Sequence, residues 1–317
     1  MLHQTRHPSI YEINTLPWLA ALSEGAGHRV DLGGVPEATW DALVGYDAVW
    51  LMGVWQRSPA GVAIAMTNTS LTDSFESALP GYEPADVAGS PYCIRDYVVD
   101  SALGGPTGLA VARKELVRRG VALILDFVPN QVAPDHAWVS QHPERLVHGS
   151  QADLRDDPGA FVEVAGRVVA NGRDPYTGAW PDVVQLNAFS QDLRDAHVAT
   201  LRDIADQCDG VRCDMAMLMM NETFARTWGP RAGPAPAGDY WPEVIPAVRE
   251  AHPDFCFIAE AYWDLEWALQ SQGFDYCYDK RLYDRLLHET AKEVRLHLTA
   301  DTGYQQGLLR FLENHDE

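Results

Sequence analysis

The chain alternates short apolar runs with longer stretches in which apolar residues recur at helical spacing. This alternation is typical of repeated βα units that build a parallel sheet. The apolar runs predict seven strands, at residues 9–14, 47–53, 121–128, 209–215, 255–262, 274–279 and 308–316. The amphipathic stretches predict helices near residues 36–44, 106–119, 189–207, 241–252, 264–272 and 280–298. We therefore expect an α/β protein of the (β/α)8 TIM-barrel type, with seven strands present and the eighth missing.

Two excursions interrupt this rhythm. Residues 130–187 are rich in Pro, Gly, Asp and Trp, and the run FVEVAGRVVA within them predicts a β-hairpin. We expect these residues to form a small subdomain inserted after the third strand, so that residues 1–129 and 188–317 form the barrel. Residues 54–105 are expected to form a long loop after the second strand.

Charge and composition exclude several classes of function. The 317 residues carry 45 acidic and 24 basic side chains, a formal net charge of −21 at pH 7. Such a charge repels phosphate backbones and anionic lipids, so we expect neither nucleic acid nor a membrane as partner. The sequence contains no apolar stretch long enough to span a bilayer. Five cysteines without CxxC spacing, three of them inside strand-like runs, favour a cytoplasmic location.

Acidic side chains close four of the predicted strands. The third strand ends in LILDFVPNQ, the fourth reads GVRCDMAM, the fifth FIAEAYWD and the last FLENHDE. The carboxylates concerned are Asp126, Asp214, Glu260 and Asp316. The carboxyl ends of barrel strands meet at one face, where barrel enzymes hold their active sites. Carboxylates that converge there without a cationic cluster suit chemistry that develops positive charge, and glycoside hydrolysis has that character.

The fourth strand also carries a cation. Arg212 and Asp214 are two residues apart, so in a strand their side chains point to the same face. A structural ion pair explains these two residues, taken alone, as well as a catalytic role does.

Taken together and in this order, the four motifs resemble the hallmark stretches of the α-amylase family, glycoside hydrolase family 13. GVWQRSP at 53–59 resembles the family's second-strand motif, and VVQLN at 183–187 lies where a D-L-N motif normally precedes the fourth strand. The resemblance implies an α-retaining glycoside hydrolase that acts on maltooligosaccharides, starch or related α-glucosides by double displacement. An α-glucosyl transferase of the same family is the alternative, and a non-catalytic carbohydrate-binding barrel is a third hypothesis.

The resemblance also implies a role for each motif residue. Asp214 would be the nucleophile, Glu260 the general acid/base, and Asp316 would bind sugar hydroxyls and stabilise the distorted ring. The substrate-binding residues would be Arg212, His315, Asn314, Tyr92, Gln131 and Asp126.

Within that set, electrostatics are expected to separate the two reacting carboxyls. A guanidinium beside Asp214 should keep it ionised, whereas Glu260 follows the apolar FIA and is expected to be protonated. Asp126 is expected to hold Arg212 from behind.

Some positions depart from the family pattern. Gln131 stands where the family often has His, and Gln185 replaces the Asp of the D-L-N motif. Because calcium needs several oxygen ligands, these changes do not favour a structural Ca²⁺, and we expect no required cofactor and no metal site. Gly89 stands where many α-glucosidases carry an acid that closes the non-reducing end of their pocket. The strand count further leads us to expect that this sequence is a fragment of a longer protein.

Overall fold

The computed structural model describes Leu2 and residues 7–317. The strands within these residues are β1 (Ile10–Asn14), β2 (Ala48–Met52), β3 (Trp55–Arg57), β4 (Ile94–Val99), β5 (Ala122–Phe127), β6 (Gln131–Val132), β7 (Phe161–Val164), β8 (Arg167–Gly172), β9 (Trp180–Gln185), β10 (Gly210–Cys213), β11 (Cys256–Ala259), β12 (Tyr276–Tyr278) and β13 (Leu308–Leu309). The α-helices are α1 (Thr15–Ala26), α2 (Glu37–Asp41), α3 (Pro59–Thr67), α4 (Thr72–Ala78), α5 (Gly105–Arg118), α6 (Ala137–Gln141), α7 (Gln151–Asp156), α8 (Gln191–Ala205), α9 (Asn221–Trp228), α10 (Tyr240–Arg249), α11 (Glu266–Ser271), α12 (Lys280–His288), α13 (Ala291–Leu298) and α14 (Thr302–Gln306).

Seven parallel strands form the central sheet, in the order β1-β2-β5-β10-β11-β12-β13. Each lies within one of the seven ranges expected from the sequence, and the spatial order follows the chain, as in a (β/α)8 barrel. The expected fold class is confirmed, with seven strands of the barrel present. The last strand is shorter than predicted, because β13 pairs with β12 through Leu308 and Leu309 alone.

The strands of this sheet separate two apolar layers. Strands β2, β10, β11 and β12 are buried at every residue, as expected for parallel strands covered on both faces. Trp50, Ile124, Ile258 and Tyr276 belong to a compact cluster inside the barrel. Alternate residues such as Val49 join the larger cluster that packs against the surrounding helices.

The helices differ from the prediction in two places. Residues 280–298 form two helices rather than one, because Glu289 and Thr290 adopt extended backbone conformations between α12 and α13. Residues 54–105 are not a plain loop, since they contain α3, α4 and the antiparallel pair of strands β3 and β4. Helix α3 begins where the Ser58 hydroxyl accepts from Gly61 N at 2.9 Å, with Pro59 at the first helical position. Within the described residues, no helix is both long and apolar enough to cross a membrane.

Residues 131–185 contribute a separate four-stranded antiparallel sheet, in the order β6-β9-β8-β7. The hairpin predicted from FVEVAGRVVA is confirmed, since β7 pairs with β8 from Phe161↔Ala170 to Val164↔Arg167. Its turn places Ala165 and Gly166 at positive φ, the geometry of a tight two-residue hairpin. The sheet lies within the range expected for the inserted subdomain.

The buried carboxylate of Asp279 contacts both helices that follow β12 and the chain beyond β13. The Asp279 side chain is fully buried and accepts from Leu282 N at 3.1 Å, at the start of α12. His297 Nε2 in α13 lies 2.8 Å from Asp279 Oδ1, and Arg310 Nε donates to Oδ2 at 3.1 Å. Strand β12, both helices and the chain beyond β13 therefore meet at this side chain.

Replacing Asp279 with Ala should lower the free energy of unfolding by about 3 kcal/mol, because buried partners would lose their acceptor. Urea unfolding measures this loss. Asp284→Ala is the matched control, since that carboxylate is 39% exposed and pairs with Lys280 on the surface. It should cost less than about 1 kcal/mol. Equal losses of unfolding free energy in the two variants would show that the buried contacts of Asp279 stabilise the fold no more than a surface ion pair does.

Candidate active site

The barrel strands direct polar side chains into one cleft at their carboxyl ends. The cleft has a volume of about 510 Å³. Of the nine site residues expected from the sequence, five line it: Asp214, Glu260, Asp316, Tyr92 and Gln131. The structure thus brings together the three expected catalytic acids.

The other four expected residues lie behind or beside the cleft. Arg212 and Asp126 are each 1% exposed and form its floor. Asn314 and His315 line a neighbouring cavity of about 540 Å³, between the first and last strands of the sheet. The Asn314 side-chain oxygen accepts from Asp316 N at 2.8 Å and so shapes the turn that carries Asp316.

Arg212 contacts the carboxyls of both Asp214 and Glu260. Its Nη1 donates to Asp214 Oδ1 at 2.7 Å, and its Nη2 lies 2.9 Å from Glu260 Oε1. Strand register explains the arrangement, because Cys213 and Ala259 are paired and the next residue of each strand is a carboxylic acid. A single guanidinium therefore bridges the ends of the fourth and fifth barrel strands.

Three aromatic rings surround this guanidinium. The Arg212 Cζ atom lies 5.2 Å from the Trp50 ring centroid, 5.3 Å from that of Tyr92 and 5.5 Å from that of Tyr278. Burial opposes the charged form, but neighbouring negative groups, Glu260 first, outweigh burial and hold the pKa of Arg212 well above its ordinary value. The cation is therefore permanent and fixed in place.

Different neighbours surround the two carboxyls. Burial and the charge of Glu260 raise the pKa of Asp214, Arg212 opposes both, and the resulting pKa is about 7. The guanidinium therefore lowers the pKa of Asp214 as expected, but burial outweighs it. Glu260 meanwhile accepts from the Tyr262 hydroxyl at 2.9 Å and from Met215 N at 2.5 Å. The expected division of protons between Asp214 and Glu260 stays a prediction.

Asp126 contacts a different set of partners than expected. It pairs with Arg212 in strand register, yet its carboxylate accepts from Trp50 Nε1 at 2.9 Å and from Gly53 N at 2.6 Å. Gly53 has φ +77°, and a Cβ there would lie 2.9 Å from Pro91 Cβ, so glycine is needed for this contact. Burial raises the pKa of Asp126 to about 6, opposed by the Gly53 N–H and the charge of Arg212. Asp126 thus acts on Arg212 through its charge, while its hydrogen bonds fix the second strand.

His315 connects the first strand to Tyr92 and Asp316 of the cleft. Its Nε2 lies 2.8 Å from the Tyr92 hydroxyl and 3.1 Å from Asp316 Oδ2, and its Nδ1 lies 2.5 Å from Glu12 Oε1. Burial lowers the pKa of His315, but hydrogen bonds to Asp316 and Glu12 outweigh burial and raise it to about 9. His315 is therefore an imidazolium at neutral pH, and its contact lowers the pKa of Asp316.

A chain of amides positions Gln131. Gln185 Nε2 donates to Asn130 Oδ1 at 2.9 Å, Asn130 Nδ2 donates to Gln131 Oε1 at 2.8 Å, and Gln131 Nε2 lies 3.4 Å from Asp214 Oδ2. An amide N–H therefore faces the Asn130 oxygen that a calcium ion would need. This set of groups does not fit Ca²⁺, which prefers carboxylate and carbonyl oxygens. The absence of a required cofactor stays a prediction.

Sequence reasoning missed two residues that contact the site directly. Glu12 lies in β1, where IYEIN resembles no motif, and only the fold brings it to His315. Tyr262 carried a weak signal, since it lies two residues beyond Glu260.

Comparison with known proteins identifies relatives whose names describe an activity on α-glucans. No protein-family model matches the chain. Two curated proteins, both named α-1,4-glucan:maltose-1-phosphate maltosyltransferase, match at 26% identity. The Burkholderia pseudomallei protein matches over 207 residues, 62% of this chain and 15% of its own length. The Bifidobacterium longum protein matches over 226 residues, 70% of this chain and 24% of its own length.

Solved structures match nearly the whole chain. An α-amylase from Lactobacillus plantarum has a TM-score of 0.65 at 21% identity, covering 99% of this chain and 64% of its own. An α-amylase from H. orenii has a TM-score of 0.67 at 16% identity, covering 99% and 62%. A cyclic α-maltosyl-(1→6)-maltose hydrolase from Arthrobacter globiformis, in complex with maltose, has a TM-score of 0.61 at 19% identity, covering 98% and 66%. The resemblance to the α-amylase family predicted from the motifs is confirmed, and at these identities it establishes the fold.

The His315 imidazole should titrate near pH 9, which nuclear magnetic resonance of the ring nitrogens measures directly. Since folding raises this pKa from the ordinary value of about 6.5, His315 stabilises the fold fully below that value. That stability is lost as the pH rises through about 9. Glu12→Gln should lower the measured pKa by about one pH unit, because a neighbouring negative charge is removed.

Glu24→Gln is the control for Glu12→Gln, since it changes an exposed glutamate at the end of α1. It should leave the titration unchanged. An imidazole that titrates near its ordinary value in the unmodified protein would contradict the contacts assigned to His315.

Proposed function

We propose, from the confirmed resemblance of this chain to the α-amylase family, that it is an α-retaining glycoside hydrolase. Its substrates would be maltooligosaccharides, starch or related α-glucosides. The observation that carries the proposal is the pair Asp214 and Glu260, held by one buried guanidinium and facing Asp316 across a single cleft. This chain spans at most 24% of the curated relatives and about two thirds of the solved structures it matches, so the activity is inferred.

In the proposed reaction, Asp214 attacks the anomeric carbon while Glu260 gives its proton to the departing glycosidic oxygen. The bond from carbon to that oxygen breaks, and a covalent glycosyl-enzyme forms. Glu260 then takes a proton from water, whose oxygen displaces Asp214 and restores both carboxyls. Arg212 and Asp316 stabilise the charges that develop, and His315 would donate to the sugar hydroxyls.

A transglycosylase is the second candidate, favoured by the names of the two curated relatives. In that reaction a sugar hydroxyl replaces water in the second step. Tyr176 of the inserted residues is 60% exposed, and its ring lies 4.7 Å from that of Trp263, three residues beyond Glu260. Such rings offer a stacking surface for an acceptor sugar. Product analysis with and without added maltose separates the two candidates, since only a transferase would form longer products.

A non-catalytic barrel is less well supported, because the three acids meet in one cleft. A neutral oligosaccharide remains the proposed partner, and a cytoplasmic location remains a proposal. The five cysteines, all buried free thiols, support that location.

Asp214→Asn should lower kcat on p-nitrophenyl α-maltoside by roughly 10⁴-fold or more, because the amide cannot form the glycosyl-enzyme. In the unmodified protein, proton magnetic resonance of early products should show the α-anomer first.

Asp264→Asn is the matched control, since it makes the same chemical change on a side chain that is 73% exposed. It should retain full activity. A β-anomer formed first, or unchanged turnover by the Asp214 variant, would refute the double-displacement proposal.

Tyr262→Phe should lower kcat/KM for maltotriose by about tenfold, because the variant lacks the 2.9 Å hydrogen bond that orients the Glu260 carboxyl. We expect a smaller loss for p-nitrophenyl substrates, which need less acid assistance.

Tyr11→Phe removes a hydroxyl from an exposed ring in β1 and serves as the control. An unchanged kcat/KM for maltotriose in the Tyr262 variant would show that this hydroxyl does not position Glu260 for the reaction.

A further inference from the structure

A side cavity of about 380 Å³ opens beside the catalytic cleft. It is formed mainly by α3, α4 and residues 82–90, the excursion after the second barrel strand. Ala65, Leu71, Ser90 and Asp182 line both the cleft and this cavity, so the two spaces are continuous. Asp214, Glu260 and Tyr262 line the cleft alone. Ala65, Leu71 and Ser90 belong to the excursion after the second barrel strand, whereas Glu260 follows β11, three places further along the sheet. The side cavity therefore opens from the side of the cleft away from β11 and Glu260.

The walls of the side cavity are predominantly apolar. Its apolar lining includes Leu71, Phe75, Leu79, Tyr82, Val87 and Ala88. The rings of Phe75 and Tyr82 meet edge to face, with centroids 5.5 Å apart. Covering such a surface with an apolar group removes apolar area from water, which is favourable.

Two polar side chains of the wall, those of Asp86 and Ser90, are already engaged nearby. Asp86 Oδ2 accepts from Glu83 N at 2.7 Å, and Ser90 Oγ accepts from Tyr92 N at 3.1 Å. Sugar hydroxyls placed against these walls would lose water and gain few partners, which is unfavourable. The lining thus discriminates between a further sugar unit and an apolar group.

The opening of the side cavity is large enough and exposed enough to receive such a group. Its volume falls in the range of pockets that bind small organic ligands. Leu79 at the rim is 50% exposed, on a chain with a net charge of −21. An exposed apolar rim beside a polar cleft is characteristic of a binding surface.

We propose that the side cavity binds an apolar substituent, an acyl, alkyl or aryl group, carried by the glucoside on the side opposite to its leaving group. This inference rests on the proposed function, because Glu260 defines where the leaving group departs. The substituent reaches the cavity as part of the substrate whose anomeric carbon lies at Asp214. Because the two spaces are continuous, we assign the side cavity to a group attached to the substrate rather than to a separate molecule.

The test compares p-nitrophenyl α-maltooligosaccharides with and without a 4,6-O-benzylidene group on the non-reducing sugar. Substrates of two to five glucose units place this aryl group at successive distances from the cleavage site. For one of these lengths, the benzylidene group should raise kcat/KM by about tenfold, mainly through a lower KM. The chromogenic leaving group is the same throughout, so differences report the far end of the substrate.

Two variants assign the gain to the side cavity. Leu79→Asn and Phe75→Ser should each remove most of the benzylidene gain while leaving the uncapped substrates within about twofold of the unmodified rate. Leu286→Asn is the matched control, because Leu286 is 48% exposed on α12 and remote from the cavity. Circular dichroism and the uncapped rates show that each variant is folded.

The possible outcomes separate this inference from the proposed function. Turnover of uncapped substrates with no benzylidene gain at any length would overturn the inference and leave the function intact. A gain that survives both cavity variants would also overturn it, because the group would bind elsewhere. If no substrate is turned over, the proposed function fails. Calorimetric binding of the capped ligand, lost in Leu79→Asn but retained in Leu286→Asn, would then support the inference, and no binding would overturn it.

Discussion

The site depends on one buried cation. Arg212 is 1% exposed, and removing a guanidinium from water is costly unless opposite charges and hydrogen bonds compensate. Asp214 and Glu260 supply the charges, and three aromatic rings supply the enclosing surface. The dependence is mutual, because without Arg212 two carboxyls would face each other in a region of low polarity. The strands that carry these residues are consequently fixed relative to one another at the very point where a substrate would react.

The same cation links the two carboxyls. Both oxygen contacts are to the same guanidinium, so the charge on either acid acts on the other through Arg212 as well as directly. Tyr262 and Met215 N add donors to Glu260 alone. The orientation of Glu260 is thus set by two further hydrogen bonds, whereas Asp214 is positioned mainly by Arg212.

The sequence was sufficient to predict the seven strands and the convergence of the acids, because short apolar runs mark strands buried on both faces and parallel strand ends meet at one face. It was insufficient for contacts that depend on which side chains become neighbours in space. Glu12 and His315 are 303 residues apart, and nothing in IYEIN marks the glutamate. The burial of Asp214 was likewise not apparent from the motif, and it raises the pKa of that carboxyl although Arg212 lies beside it. Helix α3 was overlooked although Ser58 and Pro59 form a recognisable start, since the excursion's turn-rich composition dominated the prediction.

Neutral amide groups connect the inserted residues to the carboxyl of Asp214. Gln131 pairs with Gln185 across the β6–β9 ladder, and their amides, together with Asn130, lead directly to Asp214. Amides do not titrate, whereas Asp214 and His315 change charge near pH 7 and pH 9. The link between the insert and Asp214 therefore keeps its geometry across the pH range in which the charges of the cleft change. A carboxylate at Gln185 would instead add negative charge to this chain of amides and raise the pKa of Asp214 further. The amide in VVQLN thus favours the ionised form of Asp214, which the proposed attack requires.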